Sequence, residues 1–301
     1  MPSPRSLVPD RYAVQMWTSR SRRWSSFVGC LLTLASDAIA QDCPLVVDVN
    51  AVRIPTASNV EPGRRATAGD RQVNQFVRCG GAHYFVATTL AHGRELWRTD
   101  GTAAGTVLLR DILPGSGSSR PRLWPESIQG RYVYFSAEDG STGPELWRTD
   151  GTVAGTRRIL QINPVHRPLV GNLVELNGAV LFLATDNRGR ELWRTDGSIA
   201  GTTVVRDIQA GVGGSFPQIT PGGLDGGRWL YFSADDGVHG RELWRTDGTA
   251  AGTQLIADVV PGPVTGAVHN VRHAAGKVWF GAAVGRTGAE PYVYDGTRVI
   301  G

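Results

Sequence analysis

The segment Glu-Leu-Trp-Arg-Thr-Asp-Gly occurs four times, at Glu95–Gly101, Glu145–Gly151, Glu191–Gly197 and Glu242–Gly248, and a diverged copy reads Glu290-Pro-Tyr-Val-Tyr-Asp-Gly296. Successive copies start 50, 46, 51 and 48 residues apart. A period of that length marks one supersecondary unit repeated, because so small a unit cannot bury its apolar face alone and has to stack on its neighbours. The repeat constrains the architecture strongly and fixes no activity.

Each unit repeats more than the heptapeptide. An aromatic residue stands nine or ten positions before each Glu: Phe85, Phe135, Phe182, Phe232 and Phe280. It ends a short β-rich run such as Arg131-Tyr-Val-Tyr-Phe135, and a turn-rich stretch such as Asp235-Asp-Gly-Val-His-Gly240 separates it from the Glu. Two β-rich runs around a short Asp-Gly loop spell a hairpin. After the heptapeptide comes an apolar run ending in Asp-Ile or Asp-Val, as in Val107-Leu-Leu-Arg-Asp-Ile112, and a looser run, such as Asn172–Asn177, precedes the aromatic strand. Four short strands in about 50 residues, with no helical periodicity after residue 40, predict an all-β chain, a β-propeller of five four-stranded blades over residues 41–301.

Period-two alternation assigns the motif's side chains. Glu95, Trp97 and Thr99 share one face, and Leu96, Arg98 and Asp100 the other. Adjacent blades would cover both. Trp97, Trp147, Trp193, Trp244 and Tyr292 are then wedges between blades, each burial contributing roughly 2–3 kcal/mol. Asp100, Asp150, Asp196, Asp247 and Asp295 fall at the same place in each unit, where Arg98 and Asp100 are set to pair with each other or with a neighbouring blade. The following Gly supplies the positive φ of the turn. Ca²⁺ is the alternative reading of these Asp-Gly sites. A calcium loop needs several oxygen ligands, and Thr-Asp-Gly-Thr offers one carboxylate, so no cofactor is expected.

The formal charge is +4, but Arg5, Arg11, Arg20, Arg22 and Arg23 against Asp10 and Asp37 hold +3 of it, leaving +1 for residues 41–301. That is no footprint for nucleic acid, which takes a dense basic face. Residues 1–40 have a signal-peptide layout: Arg20-Ser-Arg-Arg23, an apolar stretch Phe27–Ala35, then Ala38-Ile-Ala40 before Gln41. The apolar run is shorter than the ~20 residues that span a bilayer. Export to the periplasm, cell surface or medium is expected, as a monomer. Cleavage would leave Cys43 and Cys79, which could form one disulfide. A competing expectation is ring closure. Leu45-Val-Val-Asp-Val49 matches Leu108-Leu-Arg-Asp-Ile112 and could complete the last unit, which ends Thr297-Arg-Val-Ile-Gly301. That arrangement would set the two cysteines too far apart for a bridge.

The string Glu-Leu-Trp-Arg-Thr-Asp-Gly-Thr-Ala-Ala-Gly-Thr, with its apolar run and Asp-Ile, resembles the ELWxxDGT repeat of exported bacterial proteins over roughly residues 45–301. The aromatic strand, turn, Trp strand and Asp-Gly turn are also similar in outline to the kelch blade. The resemblance implies a secreted or surface-attached propeller, in a family sometimes labelled hyalin-like, and brings no catalytic residues with it. The last unit departs from the pattern, with Tyr292 for Trp and Val293-Tyr294 for Arg-Thr.

No His-Glu-x-x-His, Gly-x-Ser-x-Gly, phosphate loop or Cys-x-x-Cys is present, and His269 with His273 alone defines no metal site. The segments between units differ: Val52–Asn74, Leu113–Pro125, Asn163–Leu169, Gln209–Pro221 and Pro261–His269. Loops on a rigid scaffold carry function. Within these segments Arg120, Arg122, Trp124, His166, Arg167, Phe216 and His269 are candidates for a ligand-binding lining, suited to a sugar or an acidic glycan. The plainer reading, which carries more weight, has Trp124 and Phe216 simply covering the core. The leading expectation is a non-enzymatic module that binds a polysaccharide or a protein. A glycoside hydrolase or lyase would need carboxylates ~5–9.5 Å apart, and the unit-specific acids Glu61, Glu126, Glu175 and Asp225 form no evident cluster. A purely structural adhesion module is the third reading.

Overall fold

The computed structural model describes residues 76–164, 167–259, 261–263, 268–283 and 288–301. These hold five antiparallel sheets in chain order, four of four strands and one of three. Sheet 1 comprises β1 (Val77–Cys79), β2 (Ala82–Thr89), β3 (Gly93–Thr99) and β4 (Val107–Leu108). Sheet 2 comprises β5 (Arg122–Gln129), β6 (Tyr132–Glu138), β7 (Pro144–Thr149) and β8 (Arg157–Arg158), and sheet 3 comprises β9 (Gly171–Leu176), β10 (Ala179–Asp186), β11 (Gly189–Thr195) and β12 (Thr203–Val204). Sheet 4 has β13 (Leu230–Asp235), β14 (Arg241–Thr246) and β15 (Gln254–Ala257). Its first strand is reduced to the bridges Gln218↔Ser233 and Leu224↔Leu230 around a 3-10 turn, Pro221–Gly223. Sheet 5 is β16 (His269–Ala274), β17 (Lys277–Ala283), β18 (Ala289–Tyr294) and β19 (Val299–Ile300).

The expected hairpin is present in every unit, with the aromatic opposite the Trp: Phe85↔Trp97, Phe135↔Trp147, Phe182↔Trp193, Phe232↔Trp244 and Phe280↔Tyr292. Each sheet lies on the next. β1 is against β5, β5 against β9, and β16 against β13 and the 3-10 turn. Sequential face-packed meanders of this kind make the chain propeller-like.

The cores are the joints between sheets. Tyr84, Leu96, Leu109 and Ile112 of sheet 1 meet Val133, Phe135 and Trp147 of sheet 2. Tyr134 and Leu146 then meet Phe182 and Trp193, Leu181 and Leu192 meet Phe232 and Trp244, and Tyr231 and Leu243 meet Phe280 and Tyr294. The alternation inside the heptapeptide therefore sends Trp to the preceding sheet and Leu to the following one. Trp147, Trp193 and Trp244 are 4–6% exposed. In the last unit Tyr292 stacks on Phe280, centroids 5.9 Å apart, and takes the place of the Trp.

Two expectations are resolved by the structure. First, of the two partners open to Arg98, it takes the neighbouring sheet and not Asp100: its Nη1 donates to the Gly151 carbonyl at 2.9 Å, and Arg194 does the same to Gly248 at 3.2 Å. Asp100 instead accepts the amide and hydroxyl of Thr102 at 2.9 and 2.7 Å, closing its own turn. An exposed carboxylate two residues from a turn hydroxyl satisfies its lone pairs locally and has no need of a distant guanidinium. Second, the last unit already has a fourth strand, because β19 pairs Ile300 with Val293 and Val299 with Tyr294. The segment Leu45–Val49 offered for that position lies outside the described residues, as do Cys43 and residues 1–40, for which a signal peptide is the expectation.

Sheet 5 ends the described stack, and its outer face is open. The position opposite the motif's Arg is 3% exposed at Tyr84, 0% at Tyr134 and Leu181 and 8% at Tyr231, but 48% at Trp279.

Candidate functional site

In an up-and-down meander the turns alternate between the two ends of the sheet. The Asp-Gly loops and the turns after the first strands share one face. The turns between the second and third strands and the segments joining sheets share the other, the hairpin face.

The Asp-Gly face is built the same way each time. Thr102 receives the Gly105 amide at 2.9 Å, the Thr106 hydroxyl reaches the Thr102 carbonyl at 2.7 Å, and Thr99 and Thr106 bond to each other at 2.7 Å. The same network recurs around Asp150, Asp196 and Asp247. Hydrogen bonds from the turn hydroxyl, first of all, hold Asp100, Asp150 and Asp196 below the usual carboxylate range, and Thr297 holds Asp295 down to about 2. One oxygen of each carboxylate, Oδ1, closes its own turn. Among the described residues no group of three or more His, Cys, Asp or Glu is placed to hold a metal ion.

The hairpin face is where the units differ, and the motif's Glu holds it in place. Glu95, Glu145, Glu191 and Glu242 are all fully buried. Glu95 accepts the amides of Ile112, Leu113 and Ser119 at 3.3, 3.4 and 3.1 Å and the Ser119 hydroxyl at 2.6 Å. Glu191 repeats the arrangement with Ile208 and Ser215, at 3.4 Å for the Ile208 amide and 2.6 and 2.5 Å for the amide and hydroxyl of Ser215. Glu145 takes the Ile162 amide and the Thr142 hydroxyl, and Glu242 the Val259 amide at 2.7 Å. A buried carboxylate is tolerated when its lone pairs are filled. Burial still pushes Glu95, Glu145 and Glu191 above the usual range, against those hydrogen bonds. Sequence reasoning missed this anchor. The available signal was the constant 17-residue distance from each Glu to the apolar residue that ends its unit, Ile112, Ile162, Ile208 or Val259. Glu290 in the diverged copy is exposed.

The predicted lining residues separate into groups. Arg120 lies on the joining segment with its side chain 71% exposed. It stands 3.9 Å from Glu138, whose other oxygen is 2.8 Å from Arg167. Phe216 is 52% exposed on the equivalent segment of the next-but-one sheet, so it does not cover the core. Arg122, Trp124 and His269 belong to strands rather than loops: the first two lie on β5, and His269 opens β16. Trp124 is half-buried against the joint between sheets 2 and 3, as the plainer reading had it. His166 lies outside the described residues. Cys79 is a buried free thiol on the first strand, its Sγ 3.7 Å from the Gly130 carbonyl.

Several acids on this face are held in ion pairs, although Asp207 keeps a buried oxygen with no hydrogen-bond partner among the described residues. Asp139 meets Arg158 at 2.8 Å, Asp186 meets Arg188 at 2.5 Å, and Asp236 and His239 lie 2.7 Å apart. Two of the unit-specific acids close turns on the opposite face, Glu175 at the Gly178 amide and Asp225 at the amides of Arg228 and Trp229. Glu61 lies outside the described residues.

Fold and site together define an all-β, propeller-like protein with one uniform face and one variable face. No protein-family model and no curated protein matches the chain. Similar solved structures include a puromycin hydrolase, 18% identical over 73% of this chain and 35% of its own, with a TM-score of 0.43. TolB from Acinetobacter baumannii is 14% identical over 73% of this chain and 52% of its own, at 0.40. A puromycin-hydrolyzing peptidase of Mycobacterium tuberculosis is 12% identical over 75% and 36%, at 0.45. The chain spans about a third to a half of the length of these proteins. No helix among the described residues is long and apolar enough to cross a membrane.

Proposed function

We propose that the protein is an exported member of the ELWxxDGT repeat proteins and a non-enzymatic binding module for a polysaccharide or a protein, using its hairpin face. In this reading residues 1–40 direct export. The sheets close into a ring, with residues 41–75 meeting the open face of sheet 5 around Trp279 rather than supplying its fourth strand, which is β19.

One contrast carries the binding assignment. The repeated residues are consumed by packing and by turn and loop anchoring, while unit-specific side chains such as Arg120 and Phe216 project from the loops they anchor. A hydrolase would use a pair of carboxylates free to act as acid and as base or nucleophile. Of the hairpin-face acids, Glu138, Asp139, Asp186 and Asp236 are instead paired with arginine or histidine, which favours binding over hydrolysis.

The test is a glycan array probed with the full chain, followed by substitution of Phe216 on any hit. Saturable binding lost in Phe216→Ala supports the module. The absence of any saturable glycan or protein ligand would leave the purely structural reading in its place.

A further inference from the structure

We propose that Arg120, Leu169 and Phe216 form one ligand-contact row for a carboxylate-bearing polysaccharide, an inference that rests on the binding function above and names its residues and ligand chemistry. The three positions are structurally equivalent. Each follows a residue whose carbonyl accepts the amide at or near the end of a second strand: Ser119 from Glu138 at 2.8 Å, Pro168 from Thr185 at 2.6 Å and Ser215 from Asp235 at 3.0 Å. They lead into sheets 2, 3 and 4 in turn, on the same face.

All three adopt left-handed backbone, with φ of 49°, 50° and 44°. L-residues with bulky side chains seldom do so, whereas Gly and Asn do. Among the described residues the chain follows that preference elsewhere, using Gly throughout its turns and Asn at Asn172, Asn177 and Asn270, with Ala275 the exception. At the three equivalent positions it places Arg, Leu and Phe. Packing does not account for the choice: Leu169 is 47% and Phe216 52% exposed, and the Arg120 side chain 71%. Neighbouring strands hold the strained backbone, since Arg190 donates Nη1 to the Leu169 carbonyl at 3.4 Å, Arg241 donates to the Phe216 carbonyl at 2.8 Å, and the Phe216 amide reaches the Arg190 carbonyl at 3.0 Å. Strain held in place by its surroundings around an exposed side chain is a mark of a binding position.

The side chains select the ligand. Phe216 and Leu169 offer flat apolar surface for the C–H face of a sugar ring, and Arg120 a planar cation suited to a carboxylate. Arg120 and Arg167 share the one carboxylate of Glu138, so positive charge is left over there. Arg190 and Arg241 add two further cations at the same rim. A row running over three successive sheets fits an extended chain better than a single sugar.

Calorimetric titration of the full chain with polygalacturonate, alginate and hyaluronate tests the proposal, with the carboxyl-reduced form of whichever polymer binds and with poly-glutamate as comparisons. At least one acidic polymer should bind, with carboxyl reduction weakening it about tenfold and Arg120→Ala doing the same, the loss expected for one charge-assisted contact. Phe216→Ala should weaken both forms of the polymer, and Val153→Ala on the opposite face neither. Phe216→Gly should abolish binding yet raise the melting temperature, because glycine relieves the left-handed strain; a residue serving only the fold would lower it. If the acidic polymers bind but neither Arg120→Ala nor Phe216→Ala weakens them, the row is wrong and the binding function stands. Equal binding of poly-glutamate overturns the polysaccharide class. If all three polymers fail the inference falls, and the glycan array then decides separately whether the broader function falls with it.

Discussion

The Ser119 hydroxyl donates to the Glu95 carboxylate at 2.6 Å across 24 residues of sequence, and both residues are fully buried. This bond ties the opening of the heptapeptide to the segment that joins one sheet to the next, and Glu191 with Ser215 repeats it at 2.5 Å. The motif thereby sets the path of a loop whose exposed residues it does not specify.

Removing either partner should loosen that segment. Ser215→Ala leaves one buried oxygen of Glu191 short of a donor, and Glu191→Gln turns an amide NH₂ toward backbone N–H groups. Each should cost about 1–3 kcal/mol in urea unfolding. A change below about 0.5 kcal/mol, the range of ordinary surface substitutions, would mean that the anchor is unimportant.

The buried glutamates also set a pH dependence. Burial raises the folded-state carboxyls of Glu95, Glu145 and Glu191 above their ordinary 4.5. The folded protein therefore binds those protons more tightly than the unfolded chain. Their stabilisation is fully present below 4.5 and fades as pH rises through the folded values. Asp100, Asp150 and Asp196 are lowered from 3.8 and act oppositely, losing their contribution as pH falls below that point. The melting temperature should peak near pH ~4–5 and decline toward neutrality, with a shallower decline in Glu95→Gln. A melting temperature that climbs steadily from pH 5 to 7 would contradict the assignment.

Two equivalent glycines separate turn strain from joint packing. A Cβ on Gly197 would sit 2.5 Å from the Tyr134 hydroxyl and 2.6 Å from Arg148 Nη1, whereas Gly101 has nothing within 4 Å; their φ values are +88° and +94°. Gly101→Ala should cost about 1 kcal/mol from backbone alone. Gly197→Ala should cost roughly 2–4 kcal/mol, because the clash falls on a joint between sheets. Equal losses in thermal unfolding would show that the Asp-Gly glycine serves only its own turn.

Ring closure is tested at the open face of sheet 5. A photo-reactive benzoylphenylalanine in place of Trp279 should give an intrachain adduct to residues 41–75, migrating as monomer. A dimer-sized product would assign that face to a second copy, and an absence of adduct would leave it to solvent; either outcome contradicts closure by the N-terminal segment.

The repeat made the sheets legible because a period near 50 and the alternation within it are set by local backbone geometry. Trp147 against the preceding sheet and Leu146 against the next follow from period two alone. Long-range polar choices were not legible in this way. Arg98 and Asp100 are adjacent on one face, yet the turn hydroxyl of Thr102 satisfies Asp100 and releases Arg98 to cross to Gly151. The role of Glu95 depends on a serine 24 residues away, which no local pattern marks. Arg120 and Phe216 could be picked out as unit-specific residues, but Leu169 could not, because only its φ of 50° reveals that it belongs with them.

The most direct test of the account is hydrogen exchange on the full chain, with and without the ligand that the array identifies. Protection should appear in the segments joining the sheets, residues 113–121, 167–170 and 209–217, and leave the Asp-Gly loops at 100–106, 150–156, 196–202 and 247–253 unchanged. Protection confined to the Asp-Gly loops would contradict the central claim by making the repeated motif itself the binding site.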